Sequence, residues 1–239
     1  MYKRQVLGYI PTFDYVRDWA FAVSLNGRIH YLAPYIDKKY HNLIVQSHIS
    51  GAGAFMYDIA TPENFLNIEK YAGGEPVGMA IMPTSDLLIL RTNGFTIVDP
   101  DNNYIRENNV TAGCVAKKSI IQSGSSVFWC GDDDIYALSP SSGLVPRGIT
   151  GKTIRDIYLR SLNKEFILAE VDEYGVVVFL LEDENGKFEA RIEPNGWVVS
   201  RYNTVQKFIK FLTLRGVMSF VNSEGSIYLK EENASNCIE

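Results

Sequence analysis

Several residue types are too few, or too poorly spaced, to support whole classes of function. Cysteine occurs three times, as Cys114, Cys130 and Cys237, an odd number without C-x-x-C spacing. That pattern is neither a disulfide framework nor a zinc site, and it fits a reducing compartment. Cys130, inside Val127-Phe128-Trp129-Cys130, reads as a small apolar core residue. Histidine is equally scarce: His30, His41 and His48 show neither H-x-H nor H-E-x-x-H spacing, which leaves histidine-based metal catalysis without ligands.

Basic residues are also short. Lys and Arg total 23 against 28 Asp and Glu, a net charge of −5, whereas nucleic-acid affinity comes largely from cations that displace phosphate counterions. Tight DNA binding is not expected; contact with DNA would be weak or transient. Hydrophobic stretches such as Gly175 to Leu181 are far shorter than the roughly 20 residues of a membrane helix, so no membrane span is expected. Helix-forming pattern is scarce too. The best candidate runs from Lys152 to Leu162, with Thr150 or Thr153 as N-cap and Ile154, Ile157, Tyr158 and Ser161 on one face.

Strand signal is abundant. Fourteen tyrosines and 12 phenylalanines favour strands, and one form recurs: a β-branched or aromatic run, a glycine-containing turn, and a second run. The first copy is Ala20 to Leu25, Asn26-Gly27, then Arg28 to Leu32, where both turn residues accept positive φ and match the strand twist. The second is Asp86 to Arg91, a turn at Asn93-Gly94, and Phe95 to Val98. The third is Ser126 to Cys130, a turn through Gly131 to Asp133, and Ile135 to Leu138. The fourth is Glu165 to Val171, a turn near Tyr174-Gly175, and Val176 to Leu181. The fifth is Val217 to Val221, a turn at Glu224-Gly225, and Ser226 to Leu229.

From the second copy onward the turns lie about 40 to 50 residues apart, the length of one four-stranded propeller blade. Further strand candidates are Val77 to Ile81, Ser119 to Gln122, Phe188 to Ile192, Trp197 to Ser200 and Phe208 to Leu212. Leu43 to Ser47 and Ala54 to Ile59 leave room for a divergent blade. The expected fold is all-β, a β-propeller with about four to five blades in this chain, occupying residues 6–230. Residues 231–239 read as a flexible tail. Met1 to Gln5 resembles the translation of a transposon-end sequencing adapter, which implies that the natural N-terminus is missing.

The candidates for chemistry are weak. Gly148-Ile149-Thr150-Gly151-Lys152-Thr153 ends like a phosphate-binding loop, but Pro146 occupies the place of the first glycine and no parallel βαβ setting surrounds it. Leu144 to Gly148 resembles a protease-cleavable linker, yet hairpins continue on both sides, so a native loop is expected. Asp132-Asp133-Asp134 could offer oxygens to calcium but lacks the D-x-D-x-D-G loop. Ser50 sits in His48-Ile49-Ser50-Gly51-Ala52, which breaks the G-x-S-x-G elbow, and Gly51-Ala52-Gly53 lacks the rest of a dinucleotide fingerprint. Paired carboxylates are numerous, and no spacing singles out a pair. Trp197 and Tyr202 could stack on sugars. No catalytic, cofactor-binding or metal-ligating residue is assigned.

Two stretches go beyond generic strands. Tyr57-Asp58-Ile59-Ala60-Thr61-Pro62-Glu63-Asn64-Phe65 is followed by Gly74-Glu75-Pro76-Val77-Gly78-Met79-Ala80 and the Asp86 to Val98 hairpin. Gly113-Cys114-Val115-Ala116 to Leu138, then Arg147 to Tyr158, makes a second such block with an Ile154-Arg155-Asp156 helix. Together, over Tyr57 to Leu181, they resemble the β-propeller virion proteins of tailed bacteriophages, the tail hub, nozzle and packaged-DNA stabilisation type.

That resemblance implies a structural rather than enzymatic protein, located in the virion and assembled in the host bacterial cytoplasm. Its partners would be other tail proteins and copies of itself, in a homo-oligomeric ring around the channel that retains or guides the genome. It implies no cofactor. A host-surface glycan-recognition module and a non-viral scaffold propeller are the alternatives.

Overall fold

A computed structural model describes residues 19–36, 39–40, 43–46, 65–68, 73–172, 174–184, 186–193, 196–202, 208–214, 217–222 and 227–229. Residues 1–5 and 231–239, read above as adapter and tail, lie outside them, as do Ala54 to Ile59 and the Glu224-Gly225 turn. The chain divides after Gly113 into two compact units.

The first described strands of the first unit are β1 (Trp19–Leu25) and β2 (Arg28–Ile36), joined through Asn26 and Gly27 at φ 50° and 73°. Leu25 pairs with Arg28, so the loop has the two left-handed residues that the Asn-Gly dipeptide favours. β3 (Lys39–Tyr40) folds back on the end of β2, while β4 (Leu43–Gln46) and β5 (Phe65–Asn67) complete the order β1-β2-β4-β5. Leu43 to Gln46 therefore does not start a divergent blade. Its apolar residues pair Ile44 with Leu32 and Val45 with Tyr31, making β4 the third strand of the first sheet.

The second sheet holds β6 (Pro76–Ile81), β7 (Leu87–Arg91), β8 (Gly94–Asp99) and β9 (Tyr104–Asn109) in sequence order. Every residue of β7 and β8 is buried, as the two middle strands of a doubly covered sheet must be. Leu32, Ile44 and Ile68 pack with Leu87, Ile89 and Val98 into one core, each burial contributing about 1.5–3 kcal/mol. The β7–β8 turn differs from the expected Asn93-Gly94. Arg91 pairs with Gly94, so Thr92 and Asn93 form the turn and Gly94 is a strand residue. Close approach explains this glycine: a Cβ on it would sit 2.0 Å from the Asn109 carbonyl oxygen of β9.

In the second unit, β10 (Ile121–Ser123), β11 (Ser126–Cys130), β12 (Ile135–Leu138) and β13 (Arg147–Gly148) form one meander. β14 (Leu168–Val171), β15 (Val177–Asp183), β16 (Gly186–Glu193) and β17 (Gly196–Tyr202) form the next. A three-stranded sheet of β18 (Phe208–Leu214), β19 (Val217–Asn222) and β20 (Ile227–Leu229) follows.

Two strand boundaries differ from expectation. Lys117–Ser119 is a 3-10 turn in which the Ser119 hydroxyl bonds back to the Ala116 carbonyl, so β10 starts at Ile121. Lys164–Phe166 is another, because Asn163 at φ 51° turns the chain before β14 can begin. The one α-helix among the described residues, α1 (Gly151–Leu159), separates the two four-stranded sheets. It ends before the expected Leu162 because the Ser161 amide bonds the Tyr158 carbonyl in a tighter turn and the Leu162 amide leaves the helix for the Glu182 carbonyl. Its buried face, Ile154 and Tyr158, packs with Cys130, Phe179 and Phe188 into the core of this unit.

Among the described residues all pairings are antiparallel and no sheet closes on itself. First strands of successive sheets are neighbours: β1 lies beside β6 in the first unit, and β14 lies beside both β10 and β18 in the second. That is the arrangement of innermost blade strands around an axis. The chain is all-β and of β-propeller type. No described helix is long and apolar enough to cross a membrane.

Candidate functional site

A buried aspartate closes a turn in each of the three complete four-stranded meanders from β6 onward. In the second sheet, Asp99 at the end of β8 accepts the Asp101 and Asn102 amides, each at 3.0 Å, and the Asn102 side chain at 3.0 Å. Arg106 on β9 bridges it at 2.7 Å to Asp86 at 2.9 Å, which stands just before β7. Hydrogen bonding from Asn102, with Arg106 behind it, holds the Asp99 carboxyl down at about 2 against the opposing effect of burial.

In the third sheet the aspartate is Asp134, which accepts the Thr150 amide at 3.1 Å and its hydroxyl at 2.8 Å. These contacts account for the phosphate-loop-like run. Gly148 has no side chain because a Cβ there would lie 2.5 Å from the Asp134 carboxylate, and Gly151 at φ 57° turns the chain into α1. The Thr150 amide and hydroxyl at the helix entrance are thus both taken by a carboxylate from the same blade. Thr150 precedes the helix as expected, but its hydroxyl serves Asp134 rather than the helix amides.

In the fourth sheet Asp172 accepts the Tyr174 amide at 2.9 Å, the Val176 amide at 2.8 Å and the Arg191 guanidinium at 2.5 Å. Arg191 also reaches Glu189, fully buried, at 3.3 Å, and lies 3.8 Å from Glu193. Two buried carboxylates thus share one guanidinium. Held on one cation from a neighbouring strand position, the two acids suit a structural tie better than general acid–base work.

The remaining candidates separate in space. The three neighbouring aspartates diverge: Asp132 stays exposed near Lys164, Asp133 accepts the Tyr136 hydroxyl at 2.7 Å, and Asp134 turns inward. No three metal-capable side chains converge among the described residues. His30 is buried on β2 with neither ring nitrogen in hydrogen-bond geometry. Burial lowers its pKa, and the nearby Leu25 backbone only partly offsets this. His41, His48, Ser50 and Gly51-Ala52-Gly53 lie outside the described residues. The Leu144 to Gly148 run leads into β13, whose Arg147 pairs with Ala137, as a native blade segment does. Trp197, partly buried, donates its indole N–H to the Ile149 carbonyl at 2.7 Å and packs against Phe179 at the margin of the core. Tyr202 ends β17 opposite Lys187.

Cys114 and Cys130 are free, buried thiols; burial pushes Cys114 up to about 12 and Cys130 still higher. Tyr158 beside them donates its hydroxyl to the Gly131 carbonyl and is raised by burial.

One cleft of about 470 Å³ opens on the second unit. Leu168, Leu180 and Ile167 form its apolar floor, and Phe166 and Leu162 stand at its mouth, 71% and 42% exposed. Lys117, Lys118 and Lys187 line it together with Glu165 and Glu182. Sequence reasoning missed both features. The aspartate ties carried a usable signal, an aspartate at the junction of strand and turn: Asp99 ends β8, Asp134 precedes β12 and Asp172 follows β14. The cleft carried none, since its lysines come from separate elements.

No known protein family and no curated protein matches the chain. Solved structures do, at identities that show the fold alone. The extracellular domain of BT3049 from B. thetaiotaomicron, described as a hybrid two component system, superposes with a TM-score of 0.57 at 10% identity, over 90% of this chain and 28% of that one. A quinonprotein alcohol dehydrogenase-like protein, BT1487, from Bacteroides thetaiotaomicron gives 0.56 at 12% identity, over 89% and 50%. A catalytically inactive virginiamycin B lyase from Staphylococcus aureus gives 0.55 at 10% identity, over 90% and 69%. The chain spans less than two thirds of the length of the first two. These neighbours are β-propeller-like, and they include both enzymes and sensor domains.

Proposed function

We propose that this chain is a non-catalytic, structural propeller segment of a bacteriophage tail, part of a homo-oligomeric ring of hub or nozzle type around the channel that holds and guides the packaged genome. The observation that carries this reading is the internal use of polar groups. Asp99, Asp134 and Asp172 are turned into the blades to fix turns, a design for stiffness rather than for a ligand-facing loop. The turn-and-strand resemblance over Tyr57 to Leu181 supplies the virion setting.

A net charge of −5 supports a channel surface along which DNA slides, since a basic lining would hold it through counterion release. The glycan-recognition alternative is weakened at Trp197, whose indole N–H and one ring contact are already used by Ile149 and Phe179. Negative-stain imaging of the purified chain tests the proposal. Rings of identical particles with a central opening are expected, and dispersed single particles that retain duplex DNA at physiological salt would overturn it.

A further inference from the structure

We infer that the Arg147–Gly148 bond is a processing site for a serine endopeptidase with an acidic specificity pocket, and that Asp134 holds the amino terminus so released. The inference is independent of the virion role. Sequence and exposure mark the bond. Pro146-Arg147 is the only Pro-Arg step in the chain, Val145 before it is 59% exposed, and Arg147 and Gly148 are both exposed. A guanidinium at that place is what an acidic pocket takes, through paired charge-assisted hydrogen bonds.

The fold presents the segment at an edge. Gly143 and Leu144, at φ 71° and 61°, carry the chain away from the 3-10 turn of Pro140–Ser142 in two left-handed steps, which leucine adopts only against its own sterics. Arg147 and Gly148 then form β13, last in the order of its sheet and paired with β12 only at Ala137 and Tyr136. An exposed edge this short opens locally with ease, which lets the peptide seat in a protease cleft.

In the reaction the C–N bond of the amide breaks. The hydroxyl of water joins the Arg147 carbonyl carbon and its proton the Gly148 nitrogen; the new acid then passes its proton to the new amine. That ammonium forms beside a carboxylate. A Cβ on Gly148 would lie 2.5 Å from Asp134 Oδ2, so this oxygen faces the Cα that bears the new charge. Both Thr150 bonds fall on the other oxygen, Oδ1, at 3.1 and 2.8 Å, and Asp134 makes no ion pair with a described residue. Asp133, Tyr136, Tyr158 and Arg155 are the other charged or titratable groups around this corner, and of these Arg155 alone is cationic. The nicked chain stays whole, since the Ile149 amide remains on the Ile135 carbonyl at 2.9 Å and Ile154 and Tyr158 remain in the core.

Thrombin, which cuts after Pro-Arg, is the probe for the full chain. One cut is expected, with a product that begins Gly148-Ile149-Thr150 and two pieces that co-elute in size exclusion and separate in urea. Arg147→Gln, at an exposed position, keeps the thermal midpoint of the parent and abolishes the cut. Competitive acetylation of the Gly148 amine between about pH 6 and about pH 10 reads the pairing without a further variant: the amine titrates at about 7.7–8.0 in urea and above that range in the native nicked chain. A folded chain left uncut after Arg147, or pieces that separate without urea, would overturn the site. An amine that titrates alike in both states would overturn its capture by Asp134.

Discussion

Arg191 on β16 donates to the carboxylate of Asp172 at 2.5 Å, and that carboxylate in turn holds the amides of the turn leading into β15. Asp172 is 6% exposed and Glu189, the second acid on Arg191, is fully buried. Removing Arg191 leaves two buried carboxylates uncompensated, and removing Asp172 leaves the Tyr174 and Val176 amides without their acceptor. Asp172→Ala and Arg191→Met are each predicted to cost about 3–5 kcal/mol in urea unfolding. The pair of Lys164 with Asp132 is 4.0 Å apart with the acid 95% exposed, so Asp132→Ala should cost no more than about 0.5 kcal/mol.

Glycine is required at Gly94 by its neighbour rather than by its own backbone. Because an added Cβ would meet the Asn109 carbonyl at 2.0 Å, Gly94→Ala must separate β8 from β9 and is predicted to lose about 3 kcal/mol or more. Gly124, at φ 57° with nothing within 4 Å, pays only the left-handed backbone cost, and Gly124→Ala should lose about 1 kcal/mol. Parallel thermal melts compare the two.

His30 and Asp99 give two distinct pH dependences. Burial lowers the His30 pKa in the folded state, with Arg28 adding to the effect and Asp101 opposing it. The unfolded chain therefore binds the proton first. Stability is undiminished above the ordinary value of about 6.5, falls as pH drops below it, and levels off once the folded histidine also protonates. The His30→Leu variant should not show that step in urea midpoints measured between about pH 8 and about pH 5.

Asp99 is held at about 2, so its contribution is complete above the ordinary carboxylate value and is lost as pH falls toward about 2. Asp99→Asn should remove this acid limb while leaving the His30 step unchanged. Unfolding followed from about pH 5 to about pH 2 separates them.

Thiol chemistry offers a further check. Cys114 and Cys130 are buried and their pKa values are raised, so neither supplies thiolate at neutral pH. A Cys237→Ser chain should show no thiol reactive toward Ellman's reagent when folded, and two when unfolded in urea.

The blade pattern was legible because it is local. Asn26-Gly27 marks its hairpin through two residues that tolerate positive φ, and Leu87 to Leu90 announces a doubly buried strand by composition alone. The β7–β8 turn was displaced by one residue because the signal at Gly94 comes from Asn109, a strand away. The sequence leaves room for a divergent blade at β4 because pairing of Ile44 with Leu32 depends on a connection that periodicity does not report. The role of the Gly148-to-Thr153 run in the fold is visible only with Asp134 in place, 16 positions from Thr150. Lys187 joins Lys117 and Lys118 through the stacking of elements and left no trace in the linear pattern.

Native-state amide hydrogen exchange tests the central claim most directly, that buried carboxylates make these turns as rigid as the strands they join. The amides of Asp101, Asn102, Thr150, Tyr174 and Val176 should be as protected as those of β7 and β15, and Asp172→Asn should release Tyr174 and Val176 alone. Exchange of these five amides at open-loop rates in the unmodified chain would contradict the account.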